Sequence, residues 1–140
     1  PGPAVPASMI LRLPDALRAA QLIFEQTGGL HAAGTFDRQG RVVAVREDVG
    51  RHNALDKLVG RALLAGELPV SDQVLMLSGR VSFELVQKAA VAGLPVVCAV
   101  SAPSSLAVDT ADALGIAVVG FVRGAGLNVY THPERVDLEA

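Results

Sequence analysis

Short, wholly apolar runs alternate with amphipathic stretches in the second half of the sequence. Residues 74–77, 96–100 and 116–122 are such runs, and Gly93 and Gly115 follow the stretches between them. Apolar runs of this length predict strands buried on both faces, and the intervening stretches predict helices that cover them. The expected fold is therefore α/β, a three-layer α/β/α domain with a mixed, largely parallel sheet of five or six strands. The helix positions predicted to face the core are Leu85, Val86, Ala89, Ala90, Leu106, Ala107, Thr110, Ala111 and Leu114.

The first half of the sequence predicts a helix followed by a hairpin. The helix is expected to start at Asp15 and to end at the glycine pair 28–29. Residues 30–36 and 41–46 predict two strands joined by a short turn. One face of the helix would consist of Ala16, Ala19, Ala20, Ile23 and Phe24.

The N-terminal residues differ in composition from the rest. Residues 1–14 are rich in Pro and Ala without a period, which predicts a loose leader or linker. Residues 15–140 are then expected to form a single domain, since this length is sufficient for one core. Position 1 is not Met, so the chain is expected to be a piece of a longer protein, and because no secretory signal is visible, that protein is expected to be cytoplasmic.

Composition excludes several classes of function. The chain is 51% hydrophobic but only 4% aromatic, and its net charge is −2, so neither nucleic acid nor a membrane is expected as a partner. A single cysteine excludes an internal disulfide and a cysteine-based zinc site, and no metal is predicted. Cys98 lies within an apolar run, where a thiol is a small buried hydrophobe with a raised pKa.

The segment 47–60 combines many polar groups with an apolar helical stripe. Leu55, Leu58, Val59, Ala62 and Leu63 follow the spacing of a helix that faces a core, over about residues 50–65. Polar and charged residues crowd the start of this helix, which predicts a site at its N-terminus. Two interpretations of Glu47 and Asp48 stay open: they are acid–base groups, or they bind the amides at the helix start. The basic residues of the segment either pair with these carboxylates or face a phosphate, and they are Arg51, His52 and Lys57.

Three loops follow the predicted parallel strands. They are 78–80 with Ser78, Gly79 and Arg80, 101–105 beginning at Ser101, and the cationic turn 123–126. Ligands of open α/β sheets bind beyond the carboxyl ends of the strands, where turn amides and helix N-termini converge. Together the loops predict a site for an anionic ligand such as a nucleotide, although serine and glycine also occur there as ordinary caps and turns.

His31 stands beside the glycine pair 28–29 at the start of a predicted strand. A structural histidine and a functional one are both compatible with this position. The spacing of His31 and Ala33 matches the His-x-Glu of zinc deaminases, but the glutamate is replaced by alanine and the Pro-Cys-x-x-Cys partner is missing. Deaminase chemistry is therefore excluded by the number of ligands.

These segments closely resemble the FdhD family, the formate dehydrogenase accessory sulfurtransferases. The resemblance covers nearly all of residues 15–136 in order, and the matching motifs are long and specific. The segments that carry it are 27–33, 47–57, 78–84, 87–88 and 120–131.

The resemblance implies a cytidine-deaminase-like fold that has lost its zinc chemistry, and it also implies a function. Family members act as sulfur carriers: a cysteine persulfide, charged by a cysteine desulfurase, delivers sulfur to the molybdenum bis(molybdopterin guanine dinucleotide) cofactor for formate dehydrogenase. The resemblance also implies a homodimer and guanine nucleotide binding, for which GDP is a mimic. The family's cofactor-binding segment falls on Phe121, Val122, Arg123, Gly124, Ala125 and Gly126. The loops and histidines described above complete the predicted cofactor site with Ser78, Gly79, Arg80, Ser101, His31 and His52.

One departure from the family is large. The family's sulfur-carrying cysteines form a Cys-x-x-Cys loop upstream of the segment that matches residue 27, and residues 1–14 contain no cysteine. Either the chain is the C-terminal portion of a full-length family member, which we expect, or it descends from a member without the relay cysteines. The persulfide role is not transferred to Cys98, so no catalytic residue is predicted and enzymatic activity of this chain stays open. The alternatives are a non-enzymatic scaffold or nucleotide-binding partner of formate dehydrogenase and a nucleotide hydrolase or deaminase, the last of which bound zinc would have to support against the ligand count.

Overall fold

A six-stranded mixed sheet forms the middle layer of the protein. The computed structural model describes residues 4–23 and 31–139. The strands are β2 (His31–Phe36), β3 (Val42–Asp48), β4 (Val74–Leu77), β5 (Val96–Ala99), β6 (Ala117–Arg123) and β7 (Gly126–Val129). In space the strand order is β3-β2-β4-β5-β6-β7, with β4, β5 and β6 parallel at the centre and antiparallel pairs outside them.

Helices cover both faces of this sheet. One face packs on α3 (Arg51–Leu64), α4 (Phe83–Ala92) and α5 (Ser105–Leu114). The other packs on α1 (Ala7–Ile10), α2 (Leu13–Ile23) and a two-stranded parallel sheet of β1 (Val5–Pro6) and β8 (Val136–Asp137), and a 3₁₀ turn (Pro133–Arg135) precedes β8.

Alternate residues of the central strands supply two separate hydrophobic clusters. In β4, Leu75 and Leu77 join the cluster under α3–α5, while Val74 and Met76 join the cluster under α1 and α2. This alternation is the consequence of the two-residue period of a strand, and the continuous apolar run is the consequence of burial on both faces. The predicted three-layer α/β/α fold with a mixed sheet is confirmed.

The expectation of a loose leader at residues 1–14 is wrong over residues 5–13. Val5 is 1% exposed, and Ile10 and Leu13 are fully buried in the second cluster. Val5 pairs with Val136 of β8, and α2 begins at Leu13 rather than at Asp15. The prolines do not prevent this packing, because Pro6 lies outside α1 and Pro14 lies in the first turn of α2, where no helical amide bond is lost.

The buried faces of the helices are narrower than the sequence predicted. Leu63 is 64% exposed. The buried stripe of α3 consists of Ala54, Leu55, Leu58 and Ala62, and Leu63 lies about 80° beyond its edge at Leu55 around the helix. In α5, Ala107 and Ala111 make the buried contact. Leu106, Leu114 and, in α2, Ala19 are exposed instead of buried, and Ala90 and Thr110 are half-buried.

Helix ends agree with the glycine pattern where they are described. Gly93 and Gly115 take left-handed conformations, with φ of 86° and 75°, and end α4 and α5. The side chain of Ile23, Phe24 and the glycine pair 28–29 lie outside the described residues. Within the described part of the chain, no helix combines the length and the apolar character needed to cross a bilayer.

Candidate functional site

The start of β2 and the end of β4 meet at one rim of the sheet. The Ser78 N–H donates to the Ala32 carbonyl at 3.0 Å, and the Ser78 Oγ accepts from the Ala32 N–H at 2.9 Å. His31 is therefore beside the 78–80 loop, and a Cβ at Gly79 would be 3.4 Å from the His31 Nδ1. The register also pairs His31 with Asp48, so the end of β3 and the start of α3 lie at the same rim.

The loops after β5 and β6 join this rim. The Phe121 N–H donates to the Ser101 carbonyl at 3.2 Å, and the Ser104 N–H donates to the Val81 carbonyl at 2.9 Å. Val81 and Pro103 form an isolated parallel bridge between the loops that follow β4 and β5. The three predicted loops therefore converge instead of lying at opposite rims.

The turn between β6 and β7 projects from this rim. Phe121 has a φ of 53°, uncommon for a residue with a side chain, and its ring lies 5.1 Å from the guanidinium carbon of Arg123. Gly124 also has a positive φ, and an added Cβ at Gly124 or Gly126 would meet no atom within 4 Å. The backbone from Arg123 to Gly126, with Ala125 at its tip, is thus exposed and open to a ligand. Val122 is fully buried in the second cluster, so its side chain belongs to the core.

Three helix N-termini point toward the rim. The N-cap residues are Gly50 for α3, Ser82 for α4 and Ser104 for α5. The Ser82 Oγ accepts from the Leu85 N–H at 3.3 Å and the Ser104 Oγ accepts from the Ala107 N–H at 3.0 Å. Each N-terminus carries a partial positive charge, which favours an anion at this rim.

Basic side chains add to the positive potential at this rim. Arg80 and Arg123 are exposed, and within residues 4–23 and 31–139 neither has a carboxylate partner. His52 lies close to Ser82, with 3.4 Å between the Nε2 and the Oγ. The Arg51 Nε is buried and has no hydrogen-bond partner in the described part of the chain. No local pattern in the sequence selects Ser82, because its contact with His52 depends on how α3 packs against α4.

The acidic residues of this region have structural partners. The Asp48 carboxylate is 2.9 Å from the Lys57 Nζ and accepts from the Gly50 N–H at 3.1 Å. These contacts, the Lys57 hydrogen bond first, lower the pKa of Asp48 to about 2. The Glu47 Oε2 accepts from the Gln21 side chain at 2.6 Å, and Lys57 also donates to the Glu47 carbonyl. Asp48 is ionised near neutral pH and holds the start of α3, so it is not a proton donor there.

Cys98 does not belong to the rim. Its side chain is fully buried in the second cluster, and burial raises the pKa of the thiol, as predicted. Ala33 is likewise fully buried. Among the described residues, no group of three or more His, Cys, Asp or Glu side chains is arranged to hold a metal ion.

A cavity of about 660 Å³ lies at the opposite rim. Its lining includes Arg38, Asp72 and Arg135, together with the glycines that end α4 and α5. The Arg135 Nε donates to the Gly115 carbonyl at 2.8 Å. Helix C-termini carry partial negative charge, so this cavity suits an anion less well than the rim that holds the N-termini of α3, α4 and α5.

Known proteins resemble this chain over nearly its whole length. The family model described as the FdhD/NarQ family matches residues 2–137. The chain belongs to the FdhD/NarQ family. Its FdhD relatives include the sulfur carrier protein FdhD of Streptomyces avermitilis, 61% identical over 132 residues, and that of Mycobacterium tuberculosis, 55% identical over 132 residues. Each alignment covers 94% of this chain but only 47% and 48% of the relative, so the chain spans about half the length of these FdhD proteins.

A solved structure shares the fold. A formate dehydrogenase accessory protein from Desulfotalea psychrophila superposes with a TM-score of 0.85 at 31% identity, over 96% of this chain and 57% of that one. The resemblance to FdhD proteins stated from the motifs is confirmed, and it extends to a formate dehydrogenase accessory protein. The cytidine-deaminase-like character of the fold stays a prediction.

Proposed function

We propose that this domain binds the guanine nucleotide ends of molybdenum bis(molybdopterin guanine dinucleotide). Within a longer sulfur carrier protein, the domain would hold this cofactor while it is sulfurated for formate dehydrogenase. The observation that supports the proposal most strongly is the convergence of the loops after β4, β5 and β6 at one rim, where three helix N-termini also point. Membership of the FdhD/NarQ family supports it independently.

The residues at the rim fit such a ligand. Arg80 and Arg123 supply exposed cations for phosphate oxygens, and Gly124 and Gly126 leave room for a ligand to approach the backbone. Phe121 offers an aromatic ring beside the Arg123 guanidinium, a combination on which a planar base can stack. When bound, the cofactor would supply the molybdenum centre that receives sulfur.

The residues of this chain would bind and orient rather than carry sulfur. The one cysteine of the chain is Cys98, and its thiol is buried and held protonated by its surroundings. A persulfide must be reached by its donor and its acceptor, and a fully buried thiol is reached by neither. We assign sulfur carriage to a cysteine outside this chain, charged by a cysteine desulfurase.

The partners follow from the same proposal. A cysteine desulfurase would supply sulfur, formate dehydrogenase would receive the sulfurated cofactor, and the protein would act in the cytoplasm as a homodimer. The proposed dimer would let two such rims bind the two guanine dinucleotide ends of one cofactor. Neither nucleic acid nor a membrane is proposed as a partner, in line with the net charge of −2.

Isothermal titration of the chain with GDP tests the ligand half of the proposal. We expect saturable binding that weakens about tenfold in Arg123→Ala, since a charge-assisted contact is worth about 1.4 kcal/mol or more. The matched control is Arg18→Ala, an exposed arginine that pairs with Asp15 at 3.8 Å on α2, the helix that covers the face of the sheet opposite to α3, α4 and α5. A folded sample that gives no heat with GDP, or equal affinity for both variants, would exclude the proposed site.

A scaffold function is the second candidate. Leu63 and Leu64 are 64% and 90% exposed at the end of α3, which is more apolar surface than a helix end requires. A scaffold would still capture formate dehydrogenase after cofactor depletion and after Arg123→Ala. It would no longer capture formate dehydrogenase when Leu63 and Leu64 are replaced by Ser. Capture that is lost on cofactor depletion and in Arg123→Ala, but kept when both leucines are replaced, would support cofactor binding instead.

A further inference from the structure

The Ser82 hydroxyl connects two helices at the rim. As the N-cap of α4, its Oγ accepts a hydrogen bond from the Leu85 N–H at 3.3 Å. The same oxygen lies 3.4 Å from the Nε2 of His52, in the first turn of α3. Both side chains are half-buried. Ser82 therefore caps α4 and also lies within hydrogen-bond distance of a side chain of α3.

The chemistry of a hydroxyl indicates the direction of this second hydrogen bond. A serine hydroxyl has one proton to donate and two lone pairs, and one lone pair already accepts from the Leu85 amide, so the proton still requires an acceptor. Among the described residues the acceptor within reach of that proton is the His52 Nε2. If Nε2 accepts, a neutral imidazole must carry its own proton on Nδ1.

We propose that Ser82 is a positioning residue that holds neutral His52 in the tautomer protonated at Nδ1. In this tautomer the Nδ1 of His52 is an N–H donor, whereas in the other tautomer it carries a lone pair. Its ligand would be an oxyanion at the rim, a phosphate of the guanine nucleotide, so this half of the inference rests on the proposed function. A histidine protonated at Nε2 would face such an oxyanion with a lone pair and repel it.

The tautomer is measurable without any ligand. In a long-range ¹H–¹⁵N spectrum recorded where the imidazole is neutral, Nδ1 should show the shift of a protonated ring nitrogen and Nε2 that of an unprotonated one. The chain has three histidines, so His52→Gln assigns the signal. We expect Ser82→Gly to lose the preference for Nδ1–H, since glycine keeps the N-cap at little cost but removes the hydroxyl.

The chain supplies a matched control in Ser104. Ser104 caps α5 as Ser82 caps α4, accepting from the Ala107 N–H at 3.0 Å, but no histidine hydrogen bond to it is found in the described structure. Ser104→Gly should leave the His52 tautomer unchanged. Wild-type protein with the proton on Nε2, or equal spectra for Ser82→Gly and wild type, would overturn the assignment.

Binding of GDP separates this inference from the proposed function. We expect Ser82→Gly to weaken GDP binding about tenfold, Ser104→Gly to leave it unchanged, and Ser82→Thr, which retains a hydroxyl, to retain most of the affinity. Equal affinities for the two glycine variants would overturn the positioning role while leaving nucleotide binding intact. If no variant binds GDP, the proposed function fails, whereas the tautomer of His52 is still decided by its spectrum.

Discussion

The Arg123 guanidinium carbon lies 5.1 Å from the centre of the Phe121 ring. The contact spans an irregular part of the β6–β7 pair, where the register shifts between Gly120 and Arg123 and Phe121 takes a positive φ. Irregular backbone of this kind persists only where its surroundings hold it, and it is common beside binding sites. In the proposed site, this bulge directs Phe121 and Arg123 toward the rim.

Gly120 should be intolerant of any side chain. A Cβ there would lie 2.9 Å from the Tyr130 ring, 3.0 Å from Pro103 and 3.2 Å from the Ser101 carbonyl. We expect Gly120→Ala to lower the free energy of unfolding by roughly 1–3 kcal/mol, because this methyl overpacks a closed site. Urea unfolding monitored by circular dichroism measures the change.

A second glycine of the same hairpin provides the control. At Gly126 an added Cβ would meet no heavy atom within 4 Å, so Gly126→Ala should leave the free energy of unfolding close to that of the wild type. Similar losses for the two variants would show that the crowding around Gly120 is not what fixes this turn.

Ile10 tests whether the N-terminal segment belongs to the core. It is fully buried in the second cluster, so Ile10→Ala should cost about 2–5 kcal/mol through lost burial and the cavity left behind. Leu64→Ala is the control, because Leu64 is 90% exposed and its truncation should change stability by less than about 0.5 kcal/mol. A tolerant Ile10→Ala variant would restore the expectation of a loose leader.

The sequence predicts the layers of the fold and the convergence of the loops, because both follow from local rules. Continuous apolar runs fix which strands are buried on both faces, and the carboxyl ends of parallel strands share one edge. Ser78, Ser101 and Arg123 could therefore be grouped without coordinates. The glycine stops at Gly93 and Gly115 are equally local, since each needs a left-handed backbone.

Other features depend on contacts that no local pattern encodes. Val5 is buried because it pairs with Val136 near the other end of the chain, whereas its own neighbourhood is rich in proline. Ser82 reaches His52 only because α4 packs beside α3. Leu63 fits a helical spacing but is exposed, since the width of the buried stripe is decided by the neighbouring layer.

Asp48 should make stability fall in acid. Its pKa is about 2 in the folded protein, below the usual value of about 3.9, so its contribution is present above pH of about 4 and is lost as the pH falls toward about 2. We expect Asp48→Asn to be less stable than the wild type near neutral pH and to lose less stability over that acid range. Urea unfolding at a series of pH values checks this.

The control for Asp48 is Asp109→Asn. Asp109 is exposed on α5, and no hydrogen bond or ion pair to it is found among the described residues. This variant should follow the wild-type acid profile. If Asp48→Asn follows that profile too, the Lys57 contact does not stabilise the start of α3.

His132 should make stability fall in base. Its ring nitrogens face two acceptors, the Asp112 carbonyl at 2.8 Å and the Glu134 carboxylate at 2.9 Å, and these hydrogen bonds, the Asp112 one first, raise the pKa of His132. A raised folded pKa gives stability that is fully present below about pH 6.5 and lost as the pH rises through the folded value. Between about pH 6 and about pH 9, the melting temperature of the wild type should therefore fall more than that of His132→Ala. Melting temperatures of the two proteins that fall in parallel would show that the His132 hydrogen bonds do not stabilise the contact between α5 and the residues that follow β7.

The most direct measurement is a map of GDP on the assigned amide spectrum of the ¹⁵N-labelled chain. If the proposed site is right, shifts concentrate at one rim, and the opposite rim around Gly93, Gly115 and Arg135 stays unperturbed. The residues expected to shift are His31, His52, Ser78, Gly79, Arg80, Ser101, Phe121, Arg123, Gly124, Ala125 and Gly126. Shifts centred on the cavity at the opposite rim, or no shifts at saturating GDP, would contradict it.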